Sequence, residues 1–155
     1  MNITLPSGIN VRIDARDSWI LALDGPTWTS DGHYVSRRIP RKGAVETEYM
    51  HRRLLGLKKG DGICVDHIDG DTLNNTRRNL RLATHQQNIR NRKLNSNNTS
   101  GYKGVSRYKT PGKWVARIKT DTTYKSLGVF DSKEEARDAY ITAARVYHGA
   151  FARLI

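Results

Sequence analysis

The sequence predicts an α+β chain built from small units. Three observations predict it. Short alternations of apolar and polar residues recur between turn signals, as at Leu80-Arg81-Leu82-Ala83 and Lys113–Lys119. One long segment carries a helical repeat, with Ala136, Ala139, Tyr140, Ala143, Ala144 and Tyr147 on one face. Only 37% of the 155 residues are apolar, which favours two small cores or an elongated body over one large core.

Residues 1 to about 60 read as short strands and turns. Trp19–Leu23 and His33–Ile39 are the candidate strands, and Asp24-Gly25-Pro26 and Asp31-Gly32 are turn signals. Tyr49–Leu57 is a candidate helix with a stop near Gly60. Residues 62–93 read as strand, loop, strand, helix. Ile63, Val65 and Ile68 mark the first strand, Asp69–Asn79 the polar loop, and Leu80–Ala83 the second strand. Thr84 with Gln87 is a capping-box pattern for a helix from His85 to about Lys93. Residues 94–100 are polar and read as a linker.

Residues 101–155 form a further unit. Tyr102–Tyr108, Lys113–Lys119 and Tyr124–Phe130 are three strands of a small antiparallel sheet. Ser132 with Glu135 caps the helix that follows, and Gly149 stops it. The expected domains are therefore 1–93 and 101–155.

There are 27 Lys and Arg against 15 Asp and Glu, a net charge of +12. That balance favours a polyanionic partner, with nucleic acid first. A generic basic protein of the ribosomal kind fits the charge equally well. The single Cys64 excludes an intramolecular disulfide and zinc sites built on cysteine pairs, and its apolar neighbours suggest a small buried residue. No apolar run approaches about 20 residues, so no membrane span is expected. The N-terminus lacks a signal-peptide layout, and a cytoplasmic protein is expected.

The string Val65-Asp66-His67-Ile68-Asp69-Gly70-Asp71, followed by Asn74-Asn75, Asn79-Leu80-Arg81 and Asn88, carries the chemistry. Phosphodiester hydrolysis needs an activated water, and a neutral imidazole is tuned for that near pH 7. It also needs a countercharge, which a hard divalent cation on Asp and Asn oxygens supplies. In a regular strand Asp66 and His67 point to opposite faces, so a twist or bulge is needed to bring both to one site. Taken alone, Asp-His-x-Asp-Gly is also what an ordinary turn contains.

VDHIDGDTLNNTRRNLRLATHQQN resembles the HNH nuclease core of phage and intron-encoded endonucleases, over about residues 45–93. The resemblance implies a ββα-metal fold. It implies His67 as general base, Asp66 and Asn88 as metal ligands, and Asn79 as the residue that pins the loop and orients His67. Asp and Asn ligands imply Mg²⁺ or Mn²⁺ rather than Zn²⁺. The cysteines that hold a structural zinc in some relatives are absent, so none is expected. Asp69, Asp71, Asn74 and Asn75 are expected to form the loop. Asn91 stays open as a substitute ligand. His51 is either a neighbour of the site or a half-buried structural histidine. Arg77, Arg78, Arg81, Arg90 and the helix-start His85 are candidate phosphate contacts.

Tyr102-Lys103-Gly104-Val105, Gly112-Lys113-Trp114, Leu127-Gly128 and Ala139-Tyr140 resemble the plant Apetala-type (ethylene-response-factor) DNA-binding domain. The resemblance covers residues 102–155. It implies that Arg107, Lys109, Trp114, Arg117 and Lys119 face DNA. Core packing is the alternative for Trp114. Together the two resemblances imply a metal-dependent endonuclease that nicks double-stranded DNA, or cuts both strands with paired sites. It would act as a monomer or homodimer in the cytoplasm of a phage-infected or bacterial cell. The alternative is a DNA-binding regulator with an inactive nuclease core.

Overall fold

A computed structural model describes residues 1–22 and 28–154 of the chain. They fall into two compact units, Met1–His85 and Gln86–Ile155.

Unit 1 opens with strands β1 (Asn2–Thr4) and β2 (Asn10–Arg12), an antiparallel hairpin. A 3-10 turn at Ala15–Asp17 leads into the short helix α1 (Trp19–Ala22). A strand was expected over Trp19–Leu23. The chain is already coiling when it arrives there, with Leu21 N–H donating to the Ser18 carbonyl, and only Ile20 of the helix is buried. Leu23 and the expected turn Asp24-Gly25-Pro26 lie outside the described residues.

Strands β3 (Thr29–Ser30), β4 (Val35–Arg41) and β5 (Ala44–Tyr49) form one antiparallel sheet in that order. The β4 strand matches the expected His33–Ile39 with a shift of two residues, whereas β5 was not foreseen. Its alternate Glu46 and Glu48 face cations on β4, and Arg37 pairs with Glu48 at 2.7 Å. Helix α2 (Met50–Leu54) is the core of the expected Tyr49–Leu57 helix.

Strands β6 (Cys64–His67) and β7 (Leu80–Ala83) pair antiparallel, with Asp66 opposite Arg81 and His67 opposite Leu80. Helix α3 (His85–Arg90) follows directly. This is the strand–strand–helix order expected from residues 62–93. Cys64 is half-buried rather than buried.

One core unites unit 1. Leu5, Val11, Ile13, Ile20, Trp28, Val35, Met50 and Leu54 pack with Val65 and Leu80. Each such side chain contributes about 1.5–3 kcal/mol by leaving water. The first 54 residues thus supply most of the apolar support beneath β6 and β7.

Unit 2 is a sheet of β8 (Val105–Arg107), β9 (Trp114–Lys119) and β10 (Tyr124–Phe130), with β9 central, covered by helix α4 (Lys133–His148). The Ser132 hydroxyl accepts from the Glu135 N–H at 3.1 Å, and Gly149 ends the helix at φ 54°. Ile118, Tyr140, Ala143 and Ala144 make one core cluster, and Val105, Ala116 and Ala136 another. Gly104 is required. Its φ is 67°, and a Cβ there would lie 2.2 Å from the Tyr140 ring and 2.5 Å from the Arg117 carbonyl oxygen.

Residues 94–100 carry no helix or strand. Ser100 is nonetheless buried, and its hydroxyl bonds the carbonyls of Tyr102 and Val105.

Candidate active site

The polar loop between β6 and β7 is held by its own amides. Asn79 Nδ2 donates to Asp69 Oδ1 at 2.9 Å and to the Asn74 carbonyl at 2.8 Å. Asn79 Oδ1 accepts from the Asp69 N–H at 3.0 Å, and its backbone carbonyl accepts from Ile68 N–H. Asn79 therefore ties both ends of the loop to the last residues of β6. Asn74 Nδ2 donates to Asp69 Oδ2, and Asp71 Oδ1 accepts from Leu73 N–H. Asp69, Asp71 and Asn74 act as loop-formers, and Asn75 is fully buried.

The N-terminal hairpin clamps the same loop. Arg12 N–H donates to the Leu73 carbonyl, and Asn75 N–H donates to the Arg12 carbonyl. Arg77 forks onto Asp17 at 2.8–3.1 Å, and its own N–H donates to Asp14.

His67 is the last residue of β6 and is buried. Burial pushes its imidazole below the ordinary histidine value. The Asn75 side chain and the carboxylates of Asp69, Asp66 and Asp71 pull it back up. His51 lies edge-on to it, with ring centroids 5.2 Å apart. Burial first, then the charges of His67 and Arg52, press His51 down to about 3, so it is a neutral ring at working pH. His51 is buried rather than half-buried, and its ring lies against that of His67. Tyr34 packs within 5.3 Å of the His51 ring and 6.1 Å of the His67 ring, and Tyr49 stacks on His51 at 5.6 Å. Sequence reasoning missed both tyrosines. No local pattern links residues 34 and 49 to residue 67.

The β6–β7 register has no bulge, so Asp66 leaves the face opposite His67. The pairing shows no bulge of the kind that would bring both residues to one site. Asp66 is buried, and its Oδ2 accepts from Arg81 Nε at 2.7 Å while Arg81 Nη2 lies in ion-pair contact with the same oxygen at 2.6 Å. Among the described residues no group of three or more His, Cys, Asp and Glu is placed to hold a metal ion. The oxygen donors expected of Asp66 and Asn88 are of the type a hard divalent cation takes. The buried Asp66 carboxylate already holds a cation, the Arg81 guanidinium, against it. Asn88, the other expected ligand, is half-buried on α3, and Asn91 is buried just beyond it.

The candidate phosphate contacts divide. Arg78 and His85 are exposed. Arg77 and Arg81 are engaged by Asp17 and Asp66, and Arg90 is a largely buried partner of Asp121. In unit 2, Arg117 and Lys119 are exposed on the sheet face away from α4. Arg107 is exposed with its guanidinium 5.2 Å from the Trp114 ring centre, and Lys109 is exposed beside Tyr108. Trp114, expected to face DNA, instead packs half-buried against the Val105–Ala116–Ala136 cluster on the helix side. Its register, directly opposite Phe130, puts it there.

Residues 48–90 match the family model for HNH endonuclease, and residues 100–150 that for the AP2 domain. Protein 3.8 of Escherichia phage T7 is 38% identical over 92 residues, covering 59% of this chain and 75% of that protein. The chain belongs to the HNH endonuclease family. This HNH chain is also 38% identical over 104 residues to an uncharacterized HNH endonuclease of Acanthamoeba polyphaga mimivirus, covering 67% of the chain and 53% of the relative. An ethylene-responsive transcription factor of Medicago truncatula is 46% identical over 68 residues, covering 42% of the chain and 25% of the factor. No solved structure matches. No helix among the described residues is long and apolar enough to cross a membrane.

Proposed function

We propose that this chain is a metal-dependent DNA endonuclease in which unit 1, together with helix α3 that follows it, cuts and the sheet of unit 2 docks on DNA. The observation that carries the reading is His67. It is a buried imidazole, held below its ordinary pKa, at the end of a strand whose following loop is pinned by Asn79. A base kept neutral takes a proton from water without first losing one.

His67 accepts the proton of the attacking water. Asn79 fixes the backbone on which His67 stands, and the neutral His51 ring fills the space behind it. Asp66 and Asn88 are the oxygen donors for the cation, which is Mg²⁺ or Mn²⁺ by donor type. When bound, that cation supplies charge neutralisation at the phosphate and the departing 3′ oxygen. Arg78 and His85 contact backbone phosphates. In unit 2, Arg117 and Lys119 lead the DNA face, with Arg107 and Lys109 at its edge. The substrate is double-stranded DNA, and one HNH site nicks one strand at a time. Paired cutting would come from two copies or two successive nicks. The phage relative fits action in the cytoplasm of an infected cell.

A second reading is a DNA-binding regulator with a silent nuclease core. One observation favours it: Asp66 and His67 leave opposite faces of β6 while Asp66 is ion-paired.

Nicking of supercoiled plasmid with Mg²⁺ or Mn²⁺ separates the two. Wild type should nick, EDTA should stop it, and His67→Ala should lower the rate by about 10³-fold at nearly unchanged DNA affinity. Wild type that binds DNA but leaves every plasmid and mixed genomic substrate intact would favour the regulator. Lost binding in His67→Ala would make His67 structural.

A further inference from the structure

We infer that Arg81 is an exchangeable countercharge that couples cation entry at Asp66 to phosphate binding. The inference rests on the proposed role of Asp66 as a ligand.

Arg81 and Asp66 are direct partners across the β6–β7 register. Two guanidinium nitrogens, at 2.6 and 2.7 Å, converge on the same carboxylate oxygen, Oδ2. The Asp66 side chain is only 4% exposed and that of Arg81 18%. A carboxylate this buried is costly without a cation beside it, and Arg81 meets that need when no metal is present. A divalent cation and a guanidinium repel at such range, so they do not share Oδ2. Metal arrival therefore displaces Arg81.

An anion beside the guanidinium favours this release, and a phosphodiester has the oxygen geometry a guanidinium fork binds. The exchange is balanced in charge. Asp66 passes from guanidinium to cation, and Arg81 passes from carboxylate to phosphate. Each event lowers the cost of the other, so DNA must raise cation affinity and the cation must raise DNA affinity by the same factor. Arg81 thus differs from its neighbours. Exposed Arg78 binds phosphate without giving up a partner, and Arg77 is tied to Asp17 away from this strand pair.

The test is a Mn²⁺ titration of the full chain read by electron paramagnetic resonance, with and without a DNA duplex. Wild type should bind Mn²⁺ about tenfold more tightly when DNA is present. Arg81→Gln, which keeps length and loses charge, should bind Mn²⁺ about tenfold more tightly than wild type without DNA. Its further gain from DNA should shrink to about twofold or less. Arg81→Lys, the variant to use if Arg81→Gln does not fold, should fall between the two on both measures. Asp66→Asn should lose Mn²⁺ binding with and without DNA. Asp66→Asn that loses Mn²⁺ beside an Arg81 variant that binds it like wild type overturns the exchange and leaves the proposed function standing. Asp66→Asn that binds Mn²⁺ like wild type removes Asp66 as a ligand and overturns both.

Discussion

The β6–β7 loop and the β9 face use their basic residues differently. In unit 1, Arg12, Arg37, Arg52, Arg77 and Arg81 are partnered by carboxylates of the same unit. They fasten a polar loop and its neighbours to a core gathered from distant parts of the chain. In unit 2, Arg117 and Lys119 point outward from a sheet whose other face is closed by α4. A net charge of +12 is silent about this difference. Arg90, Lys113 and Arg137 of unit 2 also meet carboxylates, so the difference lies between a loop that cations fasten and a strand face that presents them.

The sharpest way to break the comparison is Gly104→Ala. A Cβ 2.2 Å from Tyr140 at a positive φ should cost unit 2 at least about 3 kcal/mol. Hydrogen exchange resolved by segment should show β8, β9 and α4 losing protection while β6 and β7 keep theirs. Equal loss in both units would mean that they fold as one.

Acid should separate them less steeply. His51 falls from 6.5 unfolded to about 3 folded, so protonation favours the unfolded chain. Its contribution is complete above about pH 6.5 and is lost as pH falls toward 3. The slope is up to about 1.4 kcal/mol per pH unit. His67 is shifted the same way. His148 in unit 2 is also lowered by burial, but its hydrogen bond to the Lys119 carbonyl opposes the shift. Exchange protection at pH 7 and pH 5 should therefore fall more in unit 1. His51→Leu should flatten that fall, and an unchanged slope in the variant would remove His51 as its source.

The smallest effect is on the surface. Arg117→Ala with Lys119→Ala should leave stability within about 0.5 kcal/mol. The salt dependence of DNA binding should weaken by about two phosphate contacts. An unaltered salt slope would move the DNA face elsewhere.

Legibility followed the range of the contacts. Strand β10 over Tyr124–Phe130, the Ser132 cap and the Gly149 stop are written in neighbouring residues, and each stands where the pattern placed it. The role of Asn79 came with the HNH resemblance rather than from the residues alone, and its hydrogen bonds to Asp69 and Ile68 hold the loop. Trp19–Ala22 misled, since an apolar run of that length suits strand or helix and the preceding 3-10 turn decides. Tyr34, Tyr49 and the Asp17–Arg77 pair were invisible because each partner lies far along the chain. Trp114 was expected on the DNA face from the family resemblance, and the β9 register sets it on the helix side instead.

The Arg12 backbone grips the loop at Leu73 and Asn75. That grip bears on what evolution can move. Residues 48–90, the stretch that matches the HNH family, contain none of Leu5, Val11, Ile13, Ile20, Trp28 and Val35. Grafted alone into another protein, that stretch would arrive without its foundation. The heritable cassette therefore runs from Met1 through helix α3, and recombination among such proteins should find its tolerated crossovers beyond it.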